Sequence, residues 1–214
     1  RSTQGYSSAA SDVYKRQRLY RVYKAIKKII NMTLIEDLKR YVNPVYNRFE
    51  WNEPSFIIVL LYRTARGIRL MPKWLLPLKF LLNWVIVPLY AFFSIFMGVS
   101  IPRGAQIGSG LRIYHFGGIV INPIAIIGKN FSIHQGVTIG VKNSYFDQVI
   151  IGDNCTLGAG AKVLGNIKIG NNVTVGANAV VMCDVPDNSI AVGIPCRIIP
   201  KKSTVYDVNR GPFN

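Results

Sequence analysis

A chain of 214 residues, half of them apolar and carrying a formal charge of +16, has room for one domain with an appendage and enough apolar side chains to bury a core. Three cysteines without CxxC spacing (Cys155, Cys183, Cys196) and only two histidines exclude a disulfide framework and a structural zinc site; they suit a reducing, cytoplasmic compartment. The charge calls for an anionic partner, yet eight cations and one acid precede Met32, leaving +9 on the rest, and no basic stripe interleaved with aromatics favours nucleic acid.

Residues 1–31, opening "RSTQGYSSAASDVYKRQ", share no periodicity with the rest of the chain and read as a non-native leader. From Met32, "MTLIEDLKRYV" is acidic early, basic later and apolar at helical spacing, which predicts a helix. Residues 32–99 as a whole are expected to be helical and strongly apolar, above all over Phe56–Tyr62 and Trp74–Met97. The stretch "FLLNWVIVPLYAFFSIFM" is long enough to cross a bilayer, but Lys79 near its start, Pro88 at its middle and the lack of a second span weigh against crossing. Helices packed on the C-terminal domain or between subunits are expected, with contact at a membrane surface as the alternative.

From Ile127 the chain repeats every six residues. Aliphatic side chains stand at Ile127, Ile133, Ile139, Ile151, Leu157, Val163, Ile169, Val175 and Val181, with Tyr145 the one misfit, and glycine commonly comes next. Small or apolar residues occupy the positions two before. Short strands joined by tight corners fit this period; three hexads make one coil of a triangular parallel β-helix whose aliphatics fill the prism. The same phase runs back through Ile101, Ile107, Ile113 and Ile119, then slips by two before Ile127, directly after "IYHFGGIVINP". The β-helix is bounded at 100–202, and 203–214 form a tail. One of the two histidines, His115, lies in that stretch. An unpaired imidazole among aliphatic neighbours is either hydrogen-bonded wall or a group held out for chemistry.

The segments "GIVINP", "QGVTIG", "LGAGAKVLGNIKIG", "VTVGANAVV" and "AVGIPCRII" between Ile101 and Lys202 resemble the hexapeptide-repeat acyltransferases, and within them the serine O-acetyltransferases. Capsule and colanic-acid O-acetyltransferases share most of these motifs. The resemblance implies a left-handed parallel β-helix, acetyl-CoA as co-substrate, no metal, a small acceptor bearing a hydroxyl and a homotrimer. It implies L-serine as acceptor, with a sugar hydroxyl of a polysaccharide precursor as the alternative. Metal-dependent β-helix enzymes resembling γ-carbonic anhydrases need three imidazoles, one more than this chain has.

The resemblance puts the catalytic histidine at His115, where "HFGGIVI" occupies the family's place, and an imidazole is a suitable general base for a hydroxyl proton. It implies cofactor contacts at Gly140, Ala159, Gly160 and Ala177, whose small size lets pantetheine approach, and at the cations Arg197, Lys201 and Lys202 for the CoA phosphates. Gly140 and Gly160 also read as corner residues needing positive φ. Three departures stand out. The aspartate that orients the family's histidine is Ser100 here, a second acid before the histidine is Tyr114, and "VKNSYFDQV" lacks the family's Arg-His pair. Tyr114, Asp147 and His134 are the candidates for acceptor contact; Asp147 or a residue from another subunit is expected to replace the missing acid. His134 stands one position out of line with His115 once the slip is allowed for, so it is expected to face a different way.

Overall fold

The computed structural model describes residues 33–43, 46–51, 53–142, 144 and 146–201; the leader, Tyr145, Lys202 and the tail lie outside them. The repeat folds as a left-handed parallel β-helix of about five turns, preceded by a helical region. Face one stacks the strands Gln106–Ile107, Ile126–Ile127, Ile150–Ile151 and Lys168–Ile169. Face two stacks Arg112–Ile113, Ser132–Ile133, Thr156–Leu157, Thr174–Val175 and Ser189–Val192, closed by the antiparallel Arg197–Pro200. Face three stacks Val99–Ser100, Ile119–Ile121, Thr138–Gly140, Lys162–Leu164 and Val180–Val181. Every aliphatic of the hexad is buried, as are Phe131, Val137, Val149, Cys155, Ala161, Val173 and Ala179 two positions before. One continuous apolar column fills the prism.

Coil length departs from eighteen at named places. Ile151 pairs with Ile169, eighteen residues on, but Ile127 pairs with Ile151, twenty-four on, so six extra residues fall between the strands Thr138–Gly140 and Ile150–Ile151. Ile113 pairs with Ile133, twenty on, whereas Val120 pairs with Thr138, eighteen on. The two extra residues therefore lie inside the histidine stretch, between Ile113 and Val120, and not after it as the sequence phase suggested. The phase misleads there because Ile119 and Ile121 are both buried, so either can stand for the repeat.

The helical region closes the open end of the prism. Residues 33–39 form helix α1, Val42–Asn43 and Arg48–Phe49 a small hairpin, Ser55–Arg69 helix α2 and Leu76–Met97 helix α3. An unpaired first coil would leave a row of carbonyls exposed. Side chains of the helices take them instead. Arg63 donates to Ile107 and Gly108 oxygens at 2.6 and 2.5 Å, Tyr62 to Ala105 at 2.7 Å, and Tyr90 to Ile101. Arg63 is itself buried against Asp37 at 2.7 Å, and Asp37 also accepts the Leu111 N–H at 2.8 Å. A buried charge of this kind persists because each partner is hydrogen-bonded on several sides.

Candidate active site

The edge between faces two and three carries the candidate His115. Along it, coil to coil, Gly118, Gly136, Gly160 and Asn178 all adopt positive φ, so the chain turns at the same height in each coil. A Cβ on Gly160 would stand 2.1 Å from Asn178 Oδ1 and would sit at φ +72, so glycine is favoured there on structural grounds alone. One residue earlier the N–H of Gly136 donates to Gly117 oxygen, Gly160 to Gln135 and Asn178 to Ala159. Gly117, Gln135 and Ala159 therefore share one level of the corner, and Ala177, just before Asn178, continues the row.

One residue after the strand, Tyr114 N–H donates to Ile133 oxygen and His134 N–H to Leu157 oxygen, which aligns Tyr114 with His134. Between these levels the second coil has Gln135 alone, but the first has His115, Phe116 and Gly117. The insertion of two is thus His115 and Phe116 themselves. With nowhere to go in the wall, both are extruded: His115 has φ +57 and a side chain 66% exposed, and Phe116 is exposed as well. A non-glycine residue in this conformation is strained by about 1 kcal/mol or more and persists where the surroundings impose it.

The surroundings impose it from the helical region. Ser55 Oγ donates to the Ile113 carbonyl at 2.8 Å, and the Ile113 N–H donates to the Tyr41 hydroxyl at 3.1 Å. The first of these bonds fixes the start of α2 two residues from His115. Glu53, two residues before Ser55, thereby brings Oε1 to 3.8 Å from His115 Nδ1. Nothing in the sequence singled out Glu53. Its signal was the acid directly before "PS" at the start of an apolar helix, which is meaningful only once the helix is known to dock on the histidine's coil.

Tyr114 occupies the position where the resemblance leads one to expect an acid, and its ring is faced by the Arg112 guanidinium at 4.5 Å and stacked on the His134 ring at 4.8 Å with 9° between planes. His134 therefore lines up with Tyr114, one position out of line with His115 as the spacing predicts, and its ring packs on Tyr114. Burial, and secondarily the nearby charge of His115, hold its imidazole below the ordinary range. It is a neutral neighbour at neutral pH.

The other expected contacts divide among three edges. Ala159, Gly160 and Ala177 descend the His115 edge as a row of small residues. Arg197 pairs with Val192, whose neighbour level is Gly176, so it stands at the foot of that same edge. Five strand spacings separate it from the strand of Arg112, about 24 Å. Lys201 is elsewhere: its N–H donates to Asn188 oxygen and its ammonium to Asn172 Oδ1 at 3.1 Å, on the edge between faces one and two. Gly140 and Asp147 lie on the edge between faces three and one. Gly140 has no positive φ, and a Cβ there would meet Leu164 Cδ2 at 3.4 Å, an ordinary contact, so the corner role expected of it does not apply. Asp147 accepts the N–H groups of Lys142 and Ser144 at 3.0 and 3.2 Å, closing its own loop. Within one chain neither reaches His115. Ser100, on the first strand of face three, pairs with Val120.

Residues 148–182 match the family model described as bacterial transferase hexapeptide (six repeats). The chain is 49% identical over 119 residues to a serine acetyltransferase of Synechocystis, covering 54% of this chain and 48% of that protein. It superposes on the crystal structure of the Brucella abortus serine acetyltransferase with a TM-score of 0.66 at 30% identity, covering 79% of this chain and 68% of the other. The soybean serine acetyltransferase complexed with serine gives 0.64 at 32% identity, covering 80% and 70%. The chain spans about half the length of the curated relatives it matches.

Proposed function

We propose that this chain, which belongs to the serine acetyltransferase family of hexapeptide-repeat transferases, moves the acetyl group of acetyl-CoA to the hydroxyl of L-serine, giving O-acetylserine and CoA. One observation carries the reading. A two-residue insertion lifts His115 out of an otherwise regular wall, beside a carboxylate and on the edge that carries Ala159, Gly160 and Ala177.

In this reading the pantetheine arm lies along Ala159, Gly160 and Ala177, where small side chains allow it to approach the backbone, and Arg197 meets the phosphates at the foot of the edge. The neutral imidazole of His115 accepts the serine hydroxyl proton as the oxygen attacks the thioester carbonyl. The tetrahedral oxyanion collapses, the carbon–sulfur bond breaks, and the imidazolium returns its proton to the departing thiolate. Glu53 takes the part that the resemblance assigned to an acid at Ser100. Its carboxylate faces Nδ1, favours the ring orientation that presents Nε2 to the acceptor, and stabilises the imidazolium. Tyr114 and His134 form the wall against which the acceptor is held. A homotrimer of prisms would bring the Gly140 and Asp147 edge of one subunit to the His115 edge of the next, and it accounts for both groups of expected contacts.

A sugar hydroxyl is the second reading of the acceptor, favoured by the exposed apolar helix α3 beside the site, which suits an acceptor held at a membrane. Thiol release from acetyl-CoA by the purified full chain, measured with L-serine and with a panel of sugars, decides between them. Serine-dependent release is expected. Release with a sugar alone replaces the acceptor, and release with neither rejects the transfer.

A further inference from the structure

Helix α3 has two unlike sides. Its inner row is pinned to the protein: Arg103 donates to Asn83 Oδ1 at 3.0 Å, the Tyr90 hydroxyl donates to the Ile101 carbonyl, and Met97 is buried. Its outer row, Phe80, Leu81, Trp84, Phe92, Ile95 and Phe96, is between 62 and 83% exposed. Twenty-two residues make this ridge about 33 Å long. Soluble chains rarely leave so large a continuous apolar surface in water, and such surfaces mark contact sites.

The electrostatics around the ridge select the partner. From Pro54 to Phe146 the sequence has no Asp or Glu and nine Lys or Arg. Two of the nine, Arg63 and Arg112, are paired with Asp37 and Glu50. Arg69 and Lys73 lie exposed at the amino-terminal end of α3, and Lys79 donates to the Arg69 carbonyl at 3.0 Å, which gathers the cations there. Arg69 and Arg103 line an open cleft of about 530 Å³ beside this end, with Gly104, Gln106 and Pro123. A second copy meeting this surface face to face would set cations against cations. A bilayer with anionic headgroups supplies the negative charge and the apolar depth together.

We propose that the outer row of α3 lies in the interfacial plane of an anionic lipid bilayer, with headgroup phosphates against Arg69, Lys73 and Arg103. The helix lies flat because crossing would break the bonds of Asn83 and Tyr90 to Arg103 and Ile101 of the first coil. Trp84 and the phenylalanines enter the boundary between headgroups and acyl chains, where aromatic rings are favoured. This docking is independent of acetyl transfer and stands or falls without it.

Flotation of the full chain with vesicles tests it. Vesicles of phosphatidylcholine containing one third phosphatidylglycerol are expected to carry the protein, phosphatidylcholine alone at least tenfold less, and high salt is expected to release it. Trp84→Glu/Phe92→Glu should lose vesicle binding at least tenfold with its thermal melt and thiol-release activity intact. Arg69→Ala/Lys73→Ala should lose the preference for anionic lipid. A wild-type chain that stays unbound with both vesicles overturns the proposal. So does a double glutamate variant that floats like wild type, or one whose particle mass in solution falls, which would make the face a subunit contact.

Discussion

Replacing Glu53 by glutamine removes the charge facing His115 while keeping the side chain's size. At 3.8 Å the carboxylate–imidazolium attraction is about 1 kcal/mol in the dielectric of water and about 4 kcal/mol at an effective dielectric of 20. His115 is two-thirds exposed and Glu53 about one-quarter, so solvent screening holds the unliganded value near the lower figure. Bound acceptor and acetyl-CoA exclude some of that water, and roughly 1.4 kcal/mol in the transition state corresponds to about a tenfold loss of kcat. Steady-state thiol release should therefore show kcat for Glu53→Gln reduced about tenfold, with the KM for acetyl-CoA and the thermal midpoint unchanged, and Glu53→Asp should recover part of the loss. A Glu53→Gln enzyme whose kcat stays within twofold of wild type would refute the positioning role. An equal loss of kcat and of thermal stability would show that Glu53 supports the docking of α2 instead.

Deleting His115 and Phe116 together should restore an eighteen-residue coil in which Gly117 takes the level of Gln135; the melt should hold or rise, because a strained φ is removed, while transfer is lost. A deletion variant that unfolds would show that the insertion is part of the wall. Ala177→Trp places a large ring on the His115 edge and should raise the KM for acetyl-CoA at least tenfold, with the serine KM much less affected; an unchanged acetyl-CoA KM would take the pantetheine off this edge. The His134 imidazole should titrate below the ordinary 6.5 in a proton-resolved NMR series. In His115→Ala it should move upward only in part, since burial is the larger cause and the neighbouring charge the smaller one. A value at or above the ordinary range in wild type would contradict the observed burial.

The β-helix was legible because a hexad constrains every coil: the buried aliphatic, the small residue two before and the corner glycine recur at fixed spacing, and stacking makes each coil repeat its neighbour's requirements. The motif singled out His115 as a candidate. Its neighbours were less legible, for two reasons. Ile119 and Ile121 can both occupy the inward position, so the sequence phase put the insertion a few residues late and did not show that His115 and Phe116 are the two extra residues. Glu53 lies sixty-two residues from His115 and reaches it through the Ser55–Ile113 hydrogen bond, a tertiary contact that no local pattern announces. The cations after the last coil looked alike in sequence. The antiparallel return of Arg197–Pro200 separates them, leaving Arg197 on the His115 edge and carrying Lys201 to the asparagine edge.

The most direct test of the extruded imidazole as base is His115→Ala, measured for acetyl transfer and for CoA affinity on the same folded preparation. The account predicts a fall in kcat of about a hundredfold to ten-thousandfold, the usual worth of a positioned general base, with the CoA dissociation constant and the melt unchanged. Wild-type turnover in the alanine variant would contradict it.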